Sequence, residues 1–157
     1  IMPIAAVLTK PELDILGEYA IGHYTHEKNP VSSQAALTTI QIIEEEGLVE
    51  NAEKLGNHAI ERLSILKEKH PSIGDVRGRG FLFGVELVTN KNKKKPANDL
   101  AEEVFYSCLK KGLSFKISMG NVLTFTPPLI LTKSQMDFAI DTISECLSNA
   151  ETNQGIK

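Results

Sequence analysis

The stretch Ile73-Gly74-Asp75-Val76-Arg77-Gly78-Arg79-Gly80-Phe81-Leu82-Phe83-Gly84-Val85-Glu86-Leu87-Val88 decides how the chain is read. After Gly80 the residues Phe81 to Val88 are an extended apolar run, which predicts a strand. Before it, Arg77 and Arg79 alternate with Gly78 and Gly80. Glycines there allow a tight backbone path, and arginines suit pairing with carboxylates or helix ends. Asp75 and Glu86 read as structural partners on the same ground.

Working upstream, Leu48, Ala52, Leu55, Ala59, Leu63 and Leu66 fall on one face of a helix. That helix stops near Lys69-His70-Pro71, where basic residues and a proline are ordinary stop signals. A preceding helix carries Ala36, Ile40 and Ile43 up to Gly47, with Ser32 or Ser33 as its cap. Residues 17–30 lack an apolar period and read as a loop. Ile4–Leu8 is a candidate buried strand, and Pro11 opens a short helix after it.

Downstream, Lys91, Lys93, Lys94 and Lys95 form a solvated loop. A helix follows with Leu100, Ala101, Val104, Phe105 and Cys108 inward, closed by Gly112 as a left-handed cap. Leu113–Ile117 and Val122–Phe125 predict two strands around a Met119-Gly120-Asn121 turn. Pro127-Pro128 ends the second, because proline cannot donate to a ladder. Thr132 and Gln135 have the spacing of a capping box before a last helix with Met136, Ala139, Ile140, Ile143 and Leu147. From about Asn149 the polar composition predicts a loose tail. The fold class is therefore mixed α/β (α+β), with helices packed on a small sheet.

The 157 residues suffice for a domain with a real core, and 41% hydrophobic with 24% charged residues is a globular composition. A net charge of −3, from 17 basic and 20 acidic residues, gives no basic surface for nucleic acid. No apolar run reaches the roughly 20 residues of a membrane span, so no membrane partner is expected and a cytoplasmic location is the default. Cys108 and Cys146 fall at apolar helix positions and read as reduced core residues. The apolar opening Ile1-Met2-Pro3-Ile4 lacks the basic region of a signal peptide and suggests a piece of a longer chain.

Four local patterns together resemble the C-terminal third of class III aminotransferases, over roughly residues 1–148. The stretch Ile73–Val88 is similar to the family's hallmark at the opening of its small domain. Glu46-Gly47-Leu48-Val49-Glu50-Asn51-Ala52 resembles the junction between its two long helices. His23-Tyr24-Thr25-His26 with Asn29-Pro30 resembles its His-x-x-Thr loop, and Thr126-Pro127-Pro128-Leu129 its Pro-Pro-Leu before the final helix. The dialkylglycine decarboxylase and 4-aminobutyrate aminotransferase branches look most similar. The resemblance implies the small domain of a fold type I pyridoxal-phosphate (PLP) enzyme, with a mainly antiparallel sheet. Residues 1–47 would be the end of the large domain with an interface loop, 48–148 the small domain and 149–157 the tail.

PLP catalysis needs an imine-forming lysine, an acid partner for the pyridine nitrogen, a phosphate cup and groups that orient substrate. By the resemblance, the Schiff-base lysine lies a few residues before Ile1, so no catalytic residue is expected in these 157 and the chain alone should be inactive. Thr25 matches the threonine that reaches the phosphate of the neighbouring subunit's PLP, which implies a homodimer. A short hydroxyl suits that role, since it donates to an anion without a competing charge. Tyr24 could line the substrate pocket. His23 and His26 have metal-like spacing, but no carboxylate or cysteine completes a site and no metal is expected.

One position departs from the family pattern. Members acting on α-amino acids commonly carry an arginine three residues before the Pro-Pro pair, where its fork grips the substrate carboxylate. Here that position is Thr124. Lys116 or Arg79 could take the arginine's place. The expectation is an aminotransferase moving an amino group from a small amine or amino acid to a 2-oxo acid, with substrate recognised elsewhere, such as an ω-amine or a phosphorylated amine. The alternatives are a decarboxylase, epimerase or lyase on the same scaffold, or a non-catalytic interaction domain.

Overall fold

The computed structural model describes residues 3–17, 19, 22 and 29–156. The chain divides into two compact units, Ile1–Gly47 and Leu48–Lys157.

In the first unit, the expected buried strand at Ile4–Leu8 does not form. The segment is irregular and open to solvent, with Val7 93% exposed. A strand needs a ladder partner for its backbone groups, and none lies beside it among the described residues. Pro11–Leu13 does make the short helix, as one 3-10 turn. Helix α1, Pro30–Glu45, is capped by Asn29 and not by Ser32 or Ser33. The Asn29 Oδ1 accepts from the backbone N–H of Val31 at 2.9 Å and of Ser32 at 3.2 Å. Asn29-Pro30 looks like a loop dipeptide, yet asparagine is a strong N-cap and proline is favoured at the first helical position.

The second unit holds helix α2 (Leu48–Lys69), strands β1 (Ile73–Arg79), β2 (Leu82–Asn90) and β3 (Lys95–Pro96), helix α3 (Asn98–Lys110), strands β4 (Lys116–Ser118) and β5 (Val122–Phe125), and helix α4 (Lys133–Asn153). The sheet order is β1-β2-β5-β4, antiparallel at each step, with β3 paired to the far end of β2. The fold class expected from sequence is the one observed.

The Arg-Gly stretch is strand β1 and not merely a turn. It forms a tight hairpin with β2 in which Arg79 faces Leu82 across Gly80-Phe81. Gly80 has a φ of +53°, a conformation that costs other residues. Helix α2 passes this turn so closely that a Cβ on Gly56 would overlap the Gly80 carbonyl. The core lies between the sheet and three helices: Leu55, Ala59 and Leu63 of α2, Leu100 and Val104 of α3, Ile140 and Leu147 of α4, against Val85, Leu87 and Leu123. Phe83 and Phe125 stack at 5.2 Å between centroids, and Phe115 joins Phe125 at 4.8 Å. Cys108 and Cys146 are free and buried. Burial, and then the neighbouring Cys146, push the Cys108 thiol far above its ordinary value, as suits an inert core residue.

Helix α4 starts with the expected capping box, Thr132 with Gln135. It then runs to Asn153, past the point where a loose tail was expected. Ala150 and Glu151 are buried, and the Glu151 carboxylate accepts from the Ser72 N–H at 3.1 Å and lies 2.8 Å from His70 Nδ1. This polar anchor holds the last turn of α4 to the α2–β1 connection.

Candidate functional site

Side chains alternate along a strand, so the antiparallel register sorts β1, β2, β5 and β4 into two faces. The partners Val76, Val85, Leu123 and Ile117 make a row on the core face. On the other face one row is Arg77, Gly84, Thr124 and Lys116, and the next is Asp75, Glu86, Val122 and Ser118. This outer face, away from the helices, collects the polar residues of the sheet.

Thr124 sits at its centre, half-buried on β5. Its Oγ1 donates to Ser118 Oγ at 2.9 Å. Lys116 is its direct partner on β4 and is exposed. Directly opposed residues in an antiparallel pair have Cβ atoms about 4.5–5.5 Å apart, so the lysine stands next to Thr124. Arg79 lies at the hairpin end of β1, exposed, two strands away from Thr124. The structure thus brings Lys116 to Thr124 and leaves Arg79 apart.

Arg77 takes the structural role expected of an arginine here. Its Nη1 donates to Asp75 Oδ2 at 2.9 Å and Glu86 Oε2 at 2.7 Å. The hydrogen bond from Arg77 holds the Asp75 carboxyl below the usual range, and Lys67 reinforces it against a partial burial that acts the other way. Neither Lys116 nor Arg79 makes an ion pair among the described residues.

Ser118 was not singled out from sequence. The signal was available: counting outward from the Met119–Asn121 turn pairs Ser118 with Val122 and Lys116 with Thr124. Thr25 and Tyr24, with His23 and His26, lie outside the described residues. Among the described residues no group of three metal-ligating side chains exists. No helix there is long and apolar enough to cross a membrane. On the core side, Phe83, Phe125, Pro127, Pro128, Met136 and Phe138 line an apolar cleft of about 310 Å³. None of the site residues expected from sequence lies in it.

With this geometry in hand, the matches to known proteins are informative. The family model for class III aminotransferases matches residues 2–147. The chain belongs to the class III aminotransferase family. It is 43% identical over 148 residues to the (R)-1-hydroxy-2-aminoethylphosphonate ammonia-lyase of Vibrio splendidus, covering 94% of this chain and 31% of that protein. It is 40% identical over 152 residues to the leucine/methionine racemase of Thermococcus litoralis, covering 96% and 34%. The solved PMP-bound aminotransferase from Vibrio fluvialis superposes with a TM-score of 0.79 at 31% identity, covering 87% of this chain and 30% of that one. The chain thus spans about a third of the length of the proteins it matches. Its fold is that of the matching part of fold type I aminotransferases.

The family is PLP-dependent, but the described residues do not form a cup for that cofactor. Every buried side-chain nitrogen or oxygen among them already has a protein partner. No buried donor waits for a phosphate or a pyridine ring. What they offer is the polar outer face of the sheet.

Proposed function

We propose that the whole protein is a PLP-dependent aminotransferase that moves the amino group of a small amine to a 2-oxo acid. The observation that supports this most is the class III match across residues 2–147. Thr124 at the centre of the outer sheet face supports a site in which an α-carboxylate, whether of an amino-acid donor or of the 2-oxo acid, is held by another group. The Thr124 hydroxyl cannot supply the two parallel donors with which an arginine holds a planar carboxylate. The same point weighs against the dialkylglycine decarboxylase reading, where a carboxylate must be held in a fixed orientation.

In this reading the family's lysine forms the link to PLP, Thr25 binds the phosphate of the neighbouring subunit's PLP and Tyr24 lines the substrate pocket. The enzyme is then a homodimer with a shared site, working in the cytoplasm. A second reading, elimination of ammonia from an amine that carries a phosphonate, is favoured by the 43% identity to the ammonia-lyase.

The test is to supply the full-length protein with amines and either pyruvate or 2-oxoglutarate. Formation of alanine or glutamate in proportion to amine consumed is the expected result. Free ammonia released without any 2-oxo acid would replace the first reading by the second. In the same assay Thr124→Arg should raise turnover of α-amino acids; if it does not, Thr124 has no part in donor choice.

A further inference from the structure

We infer that Ser144 of α4 is a nucleophilic serine, activated by His70 and Glu151, that accepts an acyl group from an activated ester or thioester. None of these residues takes part in the PLP-dependent reading. The three side chains meet where α4 crosses the α2–β1 connection. His70 Nδ1 lies 2.8 Å from Glu151 Oε2, and His70 Nε2 lies 3.1 Å from Ser144 Oγ. The other carboxylate oxygen, Glu151 Oε1, accepts from both the N–H and the hydroxyl of Ser72.

This order of atoms sets a carboxylate, an imidazole and a nucleophile in line. A carboxylate at Nδ1 puts the proton of a neutral imidazole there and leaves the Nε2 lone pair facing the serine. Ser72 fixes the carboxylate, which makes Glu151 a positioning residue for the ring. The serine also behaves unlike its neighbours. Thr142, Ser148 and Thr152 turn their hydroxyls back to the carbonyl four residues earlier, the ordinary bond for such residues in a helix. The Ser144 hydroxyl turns to His70 instead. His70 and Glu151 are buried and Ser144 is half-buried, so the base is shielded from water while the nucleophile keeps one side open.

In the step, Ser144 Oγ attacks the acyl carbon and its proton passes to His70 Nε2. The new O–C bond forms, and the bond from the acyl carbon to the leaving alcohol or thiol breaks. The leaving group takes the proton from His70, and the Ser144 ester remains. The surroundings of the serine select the donor. Ser144 lies inside α4, where backbone N–H groups are spent on the helix. Every buried side-chain nitrogen or oxygen among the described residues already has a partner. With no spare donor for an oxyanion, the leaving group must be a good one, which favours activated esters and thioesters over amides.

The experiment treats the full-length protein with p-nitrophenyl acetate and follows acetyl mass on each peptide over time. Ser144 should be acetylated, while Ser148, more exposed and one turn further along the same helix, should stay at background. His70→Gln should slow acetylation of Ser144 about a hundredfold or more, the contribution of a positioned general base. Glu151→Gln should slow it as well with Ser148 still at background, whereas a merely loosened helix would raise labelling at Ser148. No acetyl group on Ser144, equal labelling of Ser144 and Ser148, or an undiminished rate in His70→Gln overturns the site. If His70→Gln does not fold, the wild type unfolded in urea takes its place. Acetylation of Ser144 should then fall to the level of Ser148, and a rate that survives unfolding overturns the site equally.

Discussion

The two faces of the sheet in the second unit are built from the same strands and have opposite duties. Leu123 is fully buried against α2, α3 and α4 residues, whereas its chain neighbour Thr124 is half open beside Lys116 and Ser118. Alternate residues of β5 therefore hold the core and form the polar outer face. The sharpest way to break this division is to truncate both neighbours. Leu123→Ala should lose about 2–5 kcal/mol, the cost of a buried leucine side chain and its cavity. Thr124→Ala should lose about 1 kcal/mol or less, one partly exposed hydrogen bond. Urea unfolding of the two variants reads the difference, and equal losses would show that the outer face is also structural.

The core side contains a charged polar anchor, the Glu151 carboxylate between Ser72 and His70. Glu151→Ala leaves the buried Ser72 N–H without its acceptor, and should cost about 1–3 kcal/mol in the same unfolding assay. It should also loosen the last turn of α4, seen as faster amide exchange at Ala150 and Thr152. If exchange there stays slow, the apolar contact of Ala150 alone holds the helix end.

These cases show where the sequence was legible. The α2, α3 and α4 faces were, because a 3.6-residue apolar period is carried by Leu, Ile, Val and Met residues that are hard to mistake. The end of α4 was not, because the position after Leu147 and Ala150 on that face is a glutamate. Charged residues count as solvent-facing unless their partners are known, and Ser72 and His70 lie about 80 residues away in sequence. Strand β1 was obscured for a different reason. Its pairing shifts register between Ile73 and Asp75, so the apolar alternation is broken, and Arg77, Gly78 and Arg79 then look like a turn. On the outer face, Thr124 was visible from its distance to Pro127-Pro128. Lys116 was named beside Arg79 without a reason to choose between them, and the hairpin register that chooses Lys116 also brings in Ser118.

The smallest effect tests the outer face at its other edge, where Arg77 ties Asp75 to Glu86. Asp75 is held below the ordinary carboxylate range, first by the hydrogen bond from Arg77. A depressed folded pKa adds stability that is present above the unfolded value, about 3.9, and is lost as pH falls through the lower folded value. Arg77→Ala should therefore move the Asp75 titration midpoint up toward its ordinary position, as followed by the side-chain carboxyl carbon resonance. Because the Arg77 and Asp75 side chains are 55% and 43% exposed, solvent screens the pair. The loss of stability at neutral pH should be a few tenths of a kcal/mol up to about 1. It should shrink further in high salt and vanish in strong acid, where Asp75 is protonated. A larger loss that persisted in acid would mean that the Arg77 stem packs on the sheet, and that this part of the outer face is structural after all.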